Sequence, residues 1–206
     1  MKIKTKNGKI LHISEGNKKL GNIPNFNLPP IKACAPTACA SCGKDCYAMK
    51  SYRLYPNVKS GYNENLDIIN NNLDDFKESM NSFLNHPNAP RFFRIHAAGD
   101  FVTREYAQAW YELIKSHSST SFLIFTKYWD NIRGIKFYEL PNCKLYLSDW
   151  PGLKIPADLL ELYPVAYMDD GTRDPATFGE CMECPGDCSS CFGCWLASGN
   201  VKFKKH

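Results

Sequence analysis

The segment RFFRIHAAGDFVTREYAQAWYELIKSHSSTSFLIFTK, residues 91–127, predicts a strand, a helix and a second strand in succession. The first strand covers 91–96, and the helix covers 104–116, where apolar side chains recur at helical spacing. The apolar run 122–125 is typical of a strand that is buried on both faces. Two strands joined by a helix form a parallel unit, so this segment predicts an α/β fold.

The same alternation continues on both sides of this unit. Apolar residues at steps of three and four predict one long helix over 62–84, with a stripe of Leu66, Ile69, Leu73, Phe76, Met80 and Phe83. The other predicted elements are strands near 26–32, 145–147 and 165–168 and helices within 131–139 and 157–162. The repeated order predicts a partial or complete parallel (β/α) barrel, with an open sheet as the alternative.

Polar residues follow each predicted strand, at the edge where parallel α/β folds bind their ligands. The candidates at this edge are Gly99 and Asp100, Thr126 and Lys127, Ser148 and Asp149, and Asp169 and Asp170. A lysine at the end of a strand can bind a carboxylate or a phosphate. We therefore predict that Lys127, Asp149 and Asp169 are the catalytic residues that hold a substrate.

Nine of the ten cysteines fall into two groups. The first cysteine loop consists of Cys34, Cys39, Cys42 and Cys46, and the second cysteine group consists of Cys181, Cys184, Cys188, Cys191 and Cys194. Thiolates at such short spacings converge on an iron–sulfur cluster or on zinc. No histidine lies near either group, which favours iron–sulfur, and we predict two four-iron clusters with zinc as the alternative. Three ligands would leave one iron open, whereas four would close the site.

Composition and charge indicate a cytoplasmic protein. The first 19 residues contain no apolar signal segment, and no apolar run approaches the roughly 20 residues of a membrane span. Thiols stay reduced in the cytosol, so dense cysteines there favour metal sites over disulfides. Positive charges gather at the two ends of the chain, which does not favour a nucleic-acid partner. We predict an α/β domain over 1–175 and a cysteine-rich tail over 176–206.

Several motifs together resemble the phage "gene product 88" family. They are Cys46-Tyr47-Ala48 after the cysteine loop, Tyr55-Pro56-Asn57, Arg94-Ile95-His96-Ala97-Ala98-Gly99-Asp100-Phe101, Phe125-Thr126-Lys127 and the terminal Cys194-Trp195. The resemblance covers residues 21–195. It implies a protein that acts in a phage-infected or prophage-bearing bacterium, and it implies little about activity.

The layout also resembles, more distantly, the radical S-adenosylmethionine enzymes, which have a three-cysteine loop after the first strand of a (β/α) barrel. This resemblance implies S-adenosylmethionine as a cofactor, a ferredoxin- or flavodoxin-like reductant and an auxiliary cluster at the second cysteine group. Gly99 and Asp100 occupy the place of the motif that holds the methionine amino group, and His96 and Tyr47 are further candidate cofactor-binding residues. For His96, a buried core histidine is the alternative.

The cysteine spacing departs from the radical pattern of C-x3-C-x2-C, because Cys39, Cys42 and Cys46 follow C-x2-C-x3-C and Cys34 is additional. We prefer Cys34, Cys42 and Cys46 as the three ligands. Two other functions remain open. One is a non-catalytic protein with structural zinc or inert iron–sulfur sites that binds a host protein or nucleic acid, and the other is a two-cluster redox carrier.

Overall fold

Nine strands and nine α-helices follow one another along residues 1–204, the part of the chain that the computed structural model describes. The strands are β1 (Lys2–Lys4), β2 (Ile10–Ser14), β3 (Asn25–Phe26), β4 (Phe92–Ile95), β5 (Ser121–Thr126), β6 (Cys143–Ser148), β7 (Val165–Asp169), β8 (Cys181–Glu183) and β9 (Asn200–Lys204). The helices are α1 (Pro36–Cys42), α2 (Tyr47–Leu54), α3 (Pro56–Asn71), α4 (Leu73–Leu84), α5 (Arg104–Ser116), α6 (Trp129–Ile132), α7 (Ala157–Leu160), α8 (Cys188–Cys191) and α9 (Gly193–Leu196). Short 3₁₀ helices lie at Gly43–Asp45, Phe137–Glu139 and Pro175–Phe178.

The strands form one sheet in the order β1-β2-β3-β4-β5-β6-β7-β9-β8. The five strands β3 to β7 are parallel to one another, as the strand–helix alternation predicts. The amino-terminal strands β1 and β2 are antiparallel, and β9 runs parallel to both β7 and β8. The chain therefore has a mixed α/β fold with a mostly parallel sheet.

The sheet is open, which corrects the prediction of a complete barrel. Its edge strands among residues 1–204 are β1 and β8. On one side β2 pairs with β3, and on the other side β9 occupies the place beside β7. The outer parallel strands β3 and β7 are thus already paired, so they do not close on each other.

The helix predicted over 62–84 is two helices, α3 and α4, separated at Asn72. Asn72 has φ −151° and ψ 57°, outside the helical range. Asparagine side chains compete for backbone hydrogen bonds and so favour caps and turns over helix interiors. The apolar pattern in the sequence gives no sign of this break, because the apolar residues of both helices pack against the same core. Phe76 and Met80 are fully buried there.

Alternating side chains on the strands build a core on each face of the sheet. The helix-side core contains Phe93 and Ile95 of β4 together with buried residues of α3, α4 and α5. The cysteine-side core consists of Leu20, Ile23, Leu123, Tyr146, Ala166, Cys194, Trp195 and Val201. The second cysteine group therefore packs on one face of the sheet, and the long helices cover the other.

The carboxyl-terminal segment belongs to the same sheet as the rest of the chain, because it contributes β8 and β9. The domain boundary at residue 175 stays a prediction. None of the helices within residues 1–204 combines the length and the apolar character that crossing a membrane requires.

Candidate metal centres and the carboxyl edge of the sheet

The first cysteine loop follows β3 and places its thiols on three local structures. Cys34 lies in the turn before α1, which begins with Pro36 at its first position. Cys39 and Cys42 are three residues apart on α1 and so share one face of that helix. Cys46 is the amino-terminal cap of α2.

These thiols lie close to one another and to the end of the sheet. Burial, together with the smaller effect of the Asp100 carboxylate, raises the pKa of Cys34 to about 12. Burial also raises the pKa of Cys42, whereas the Lys127 ammonium lowers it. The first cysteine loop therefore interacts electrostatically with one carboxylate and one ammonium that follow β4 and β5.

Asp100 accepts four hydrogen bonds, two on each carboxylate oxygen. Its Oδ1 accepts from the Phe101 N–H at 2.8 Å and from the Thr126 hydroxyl at 2.6 Å. Its Oδ2 accepts from the N–H groups of Lys127 at 2.7 Å and Tyr128 at 3.2 Å. Burial raises the pKa of Asp100, and the hydrogen bonds act in the opposite direction. The carboxylate thus joins the turn after β4 to the end of β5, and both oxygens are engaged.

Gly99 sits where the turn after β4 meets the segment after β3. It has φ +79°, and a Cβ at this position would lie 2.6 Å from the Cβ of Leu28. The Leu28 N–H donates to the Ala98 carbonyl at 3.0 Å, which holds the two segments together. Gly99 is therefore needed for both its backbone conformation and the close approach.

His96 lies on the helix side of the sheet, away from the second cysteine group. Its Nε2 is 2.8 Å from the Tyr106 hydroxyl, and its ring packs edge-on against Phe101. Burial lowers the pKa of His96 to about 3, with a further contribution from Arg94. These contacts are those of a neutral core histidine, the alternative that the sequence leaves open.

Two buried asparagines position the turn after β4, and the sequence motifs give no indication of either. Asn27 Oδ1 accepts from the N–H groups of Ala97 at 2.8 Å and Ala98 at 3.0 Å. Asn65 of α3 donates from Nδ2 to the carbonyls of His12 and Asn27, and its Oδ1 accepts from the His12 N–H. The pair ties α3, β2 and the turn into one hydrogen-bonded unit.

Tyr47 connects the first cysteine loop to the sheet. Its hydroxyl donates to the Ala97 carbonyl, although 61% of the residue is exposed. The phenol interacts electrostatically with Arg94, with Cys46 of the first cysteine loop and with Cys188 of the second cysteine group. Tyr47 therefore lies between the two groups of cysteines.

The three predicted catalytic residues lie at the carboxyl edge of the sheet, but two of them are engaged in ion pairs. Asp149 is buried and pairs with Arg173. Asp169 Oδ2 is 3.8 Å from the ammonium of Lys202. The Lys127 ammonium lies 5.4 Å from the centre of the Trp150 ring. No hydrogen bond or ion pair joins Lys127, Asp149 and Asp169 to one another within residues 1–204.

The second cysteine group surrounds a small cavity. Its lining includes the last four cysteines of the group together with Met182 and Trp195, the four being Cys184, Cys188, Cys191 and Cys194. Gly193 allows the chain to wrap closely, because a Cβ there would lie 2.7 Å from the Met182 sulfur and 3.1 Å from the Cys191 sulfur. Cys181 begins β8 and lies outside the cavity lining.

The side-chain positions give mixed support for metal binding. Within residues 1–204, no three His, Cys, Asp or Glu side chains are gathered closely enough to hold a metal ion. A change of side-chain rotamer moves each sulfur, so the main chain decides whether the thiols can converge. Trp195 lines the same cavity as the four cysteines, and its buried indole Nε1 has no hydrogen-bond partner among the described residues. A metal-bound thiolate or a cluster sulfide would be an acceptor for such a group, so the donor set is of the chemical type that zinc and iron–sulfur clusters use.

The fold and the two groups of thiols define a cysteine-rich α/β protein with an open, mostly parallel sheet. The chain belongs to the gene product 88 family, since the family model "Gene product 88" matches residues 1–150, well over half of its length. The second cysteine group lies beyond the matched residues.

Two phage proteins are similar to this chain. The "Gene 88 protein" of Mycobacterium phage D29 is 29% identical over 188 residues, which cover 85% of this chain and 78% of that protein. The "Gene 88 protein" of Mycobacterium phage L5 is 28% identical over 188 residues, covering 85% and 79%. No solved structure gives a significant match. The prediction of a phage protein of this family is confirmed.

Proposed function

We propose that this protein is an iron–sulfur enzyme of the radical S-adenosylmethionine type, with a reactive cluster at the first cysteine loop and an auxiliary cluster at the second cysteine group. The observation that carries the proposal is the position of the first cysteine loop. It follows β3, the first of the five parallel strands, and it interacts electrostatically with Asp100 and Lys127 at the carboxyl edge. Ligands of parallel α/β folds bind at this edge.

The cluster would supply an iron site and an electron for the reductive cleavage of S-adenosylmethionine. The chain's own residues would position the reactants. Lys127, whose ammonium interacts with Cys42 and Trp150, is the candidate for holding a carboxylate or phosphate. Asp149 and Asp169 would act together with Arg173 and Lys202, because each is paired with its cation.

In this proposal Asp100 does not have the role that the resemblance to radical S-adenosylmethionine enzymes implies. Its two oxygens already accept four hydrogen bonds, so it is poorly suited to bind the methionine amino group. Asp100 instead positions the main chain of Lys127 and Tyr128. Gly99 and Asn27 support the same turn.

The test is the metal content of the protein purified without oxygen. If the protein holds two four-iron clusters, it should contain about eight irons and an equal amount of acid-labile sulfide. Addition of S-adenosylmethionine should then change the spectrum of the reduced protein. Cys42→Ser or Cys46→Ser should abolish this change and any cleavage. Cys143→Ala is the control, because Cys143 is buried in the helix-side core and belongs to neither group of cysteines. A fully loaded protein that neither binds nor cleaves S-adenosylmethionine would refute the proposal.

A second candidate is a non-catalytic protein that two metal centres stabilise and that binds a host protein or nucleic acid. The ion pairs of Asp149 and Asp169 favour it, because they leave neither carboxylate free as a general base. Zinc without sulfide, in a colourless protein, would support this candidate and exclude the enzyme. In both candidates the protein acts in the cytoplasm of a phage-infected or prophage-bearing host.

A further inference from the structure

Arg94 lies on the cysteine-side face of β4 and belongs to none of the ion pairs formed by residues 1–204. Its guanidinium carbon is 4.2 Å from the centre of the Phe125 ring. Its Nε donates to the His96 carbonyl at 3.3 Å. These contacts satisfy part of the guanidinium, but they supply no negative charge.

Phe92, two residues before Arg94 on the same face of β4, packs edge-on against Trp195, and the groups that interact electrostatically with the Arg94 guanidinium are a phenol and three thiols. They are Tyr47 and, from the second cysteine group, Cys188, Cys194 and Cys184. Arg94 is half-buried, and a cation that is withdrawn from water is costly without a counter-charge. Neutral thiols do not provide that counter-charge.

A metal centre held by thiolates does provide it. Four thiolates carry four negative charges, and either Zn²⁺ or a doubly positive four-iron cluster cancels only about two of them. The remaining charge would lie in the cavity beside Arg94. This argument is the same for zinc and for iron–sulfur.

We propose that Arg94 is the half-buried counter-ion of a four-thiolate metal centre held by Cys184, Cys188, Cys191 and Cys194. Cys181 is not a ligand of this centre, because it lies outside the cavity that the other four line. The inference rests on the second centre of the proposed function and is independent of S-adenosylmethionine. Trp195 supports it, since this residue lines the same cavity and its indole N–H has no hydrogen-bond partner among the described residues.

The experiment measures the release of metal from the full-length protein to a colorimetric chelator. Cys194→Ser identifies the fraction of bound metal that belongs to the second centre. We expect Arg94→Gln to release that fraction about 10- to 100-fold faster than the wild type, as for other residues that support metal ligands. Arg94→Lys keeps the charge and should stay within a few-fold of the wild type.

The matched control is Arg91→Gln, which removes the same charge from the exposed residue just before β4. It should not change the release. Equal release from Arg94→Gln and the wild type would overturn the role of Arg94 while leaving the metal centre intact. Equally fast release from the Gln and Lys variants would reduce Arg94 to a packing role and also overturn the proposal.

Metal content separates this inference from the proposed function. If the wild-type protein binds neither zinc nor iron, both the role of Arg94 and the proposed function are refuted. Cys181→Ser should retain the second-centre metal, and its loss there would overturn the assignment of ligands. Circular dichroism of each variant shows whether a change in release reflects unfolding.

Discussion

Replacing Asp100 with asparagine tests whether the carboxylate holds together the ends of β4 and β5. The side chain accepts from three backbone N–H groups and one hydroxyl, so an amide with one acceptor oxygen can serve only two of these four donors. The amide NH₂ would face the other two. The Thr126 hydroxyl can rotate and accept, but a backbone N–H cannot.

At least one buried N–H therefore loses its acceptor, at a cost of about 1–3 kcal/mol. The retained hydrogen bonds change from a charged to a neutral acceptor, which lowers their contribution by a further 1 kcal/mol or so each. With two hydrogen bonds retained, we expect Asp100→Asn to lower the free energy of unfolding by about 3–5 kcal/mol at pH 7. The free energy of unfolding typically falls by about 1–3 kcal/mol per molar urea, so the urea concentration at the unfolding midpoint should fall by about 1 M or more.

The assay is urea unfolding followed by tryptophan fluorescence and by circular dichroism. Asp130→Asn makes the same chemical change at an exposed side chain whose nearest cation, Arg133, is 3.7 Å away. It should unfold at the same urea concentration as the wild type. If Asp100→Asn and Asp130→Asn share one midpoint, the four hydrogen bonds do not stabilise the fold as argued.

Three further substitutions test the surroundings of this turn. The fold favours neutral His96, because burial lowers the pKa of this side chain from 6.5 to about 3. Its contribution to the free energy of unfolding is therefore complete above pH 6.5 and is lost as the pH falls toward about 3. Between pH 7 and pH 5 the free energy of unfolding of the wild type should fall by about 2 kcal/mol more than that of His96→Asn. Parallel profiles of unfolding free energy against pH would contradict this. Asn65→Ala leaves the backbone groups of β2 and of the segment after β3 unpaired and should cost about 2–4 kcal/mol in thermal unfolding. Gly99→Ala should cost more than Gly171→Ala, because both have φ near +80° but only Gly99 faces a contact within 4 Å.

The sequence predicts the central sheet well because local patterns determine those elements. Helix α5 is observed at the predicted bounds, since its buried Tyr106, Trp110 and Leu113 follow helical spacing. The predicted strands at 122–125 and 165–168 are each found within one residue of their observed ends. Periodicity is strongest where an element buries one whole face.

The sequence fails where long-range contacts decide the structure. Asn27 lies in an irregular, proline-rich segment, and its role depends on Ala97 and Ala98, seventy residues away. Strands β8 and β9 were not predicted, because three residues around Cys181 and a lysine-rich segment have no strand periodicity. Their conformation comes from pairing with each other and with β7.

The two groups of cysteines differ in what surrounds them, and this difference predicts different consequences of their loss. Cys194 is buried with Trp195 in the cysteine-side core, so the metal at the second centre would be coupled to the packing of the sheet. Cys42 and Cys46 lie at the open carboxyl edge, beside the exposed Tyr47. Loss of Cys194 should therefore lower stability, whereas loss of Cys42 or Cys46 should remove ligand binding from a folded protein. Under the proposed function, the second cysteine group would therefore hold a structural centre on the face of the sheet and the first cysteine loop a reactive one at its edge.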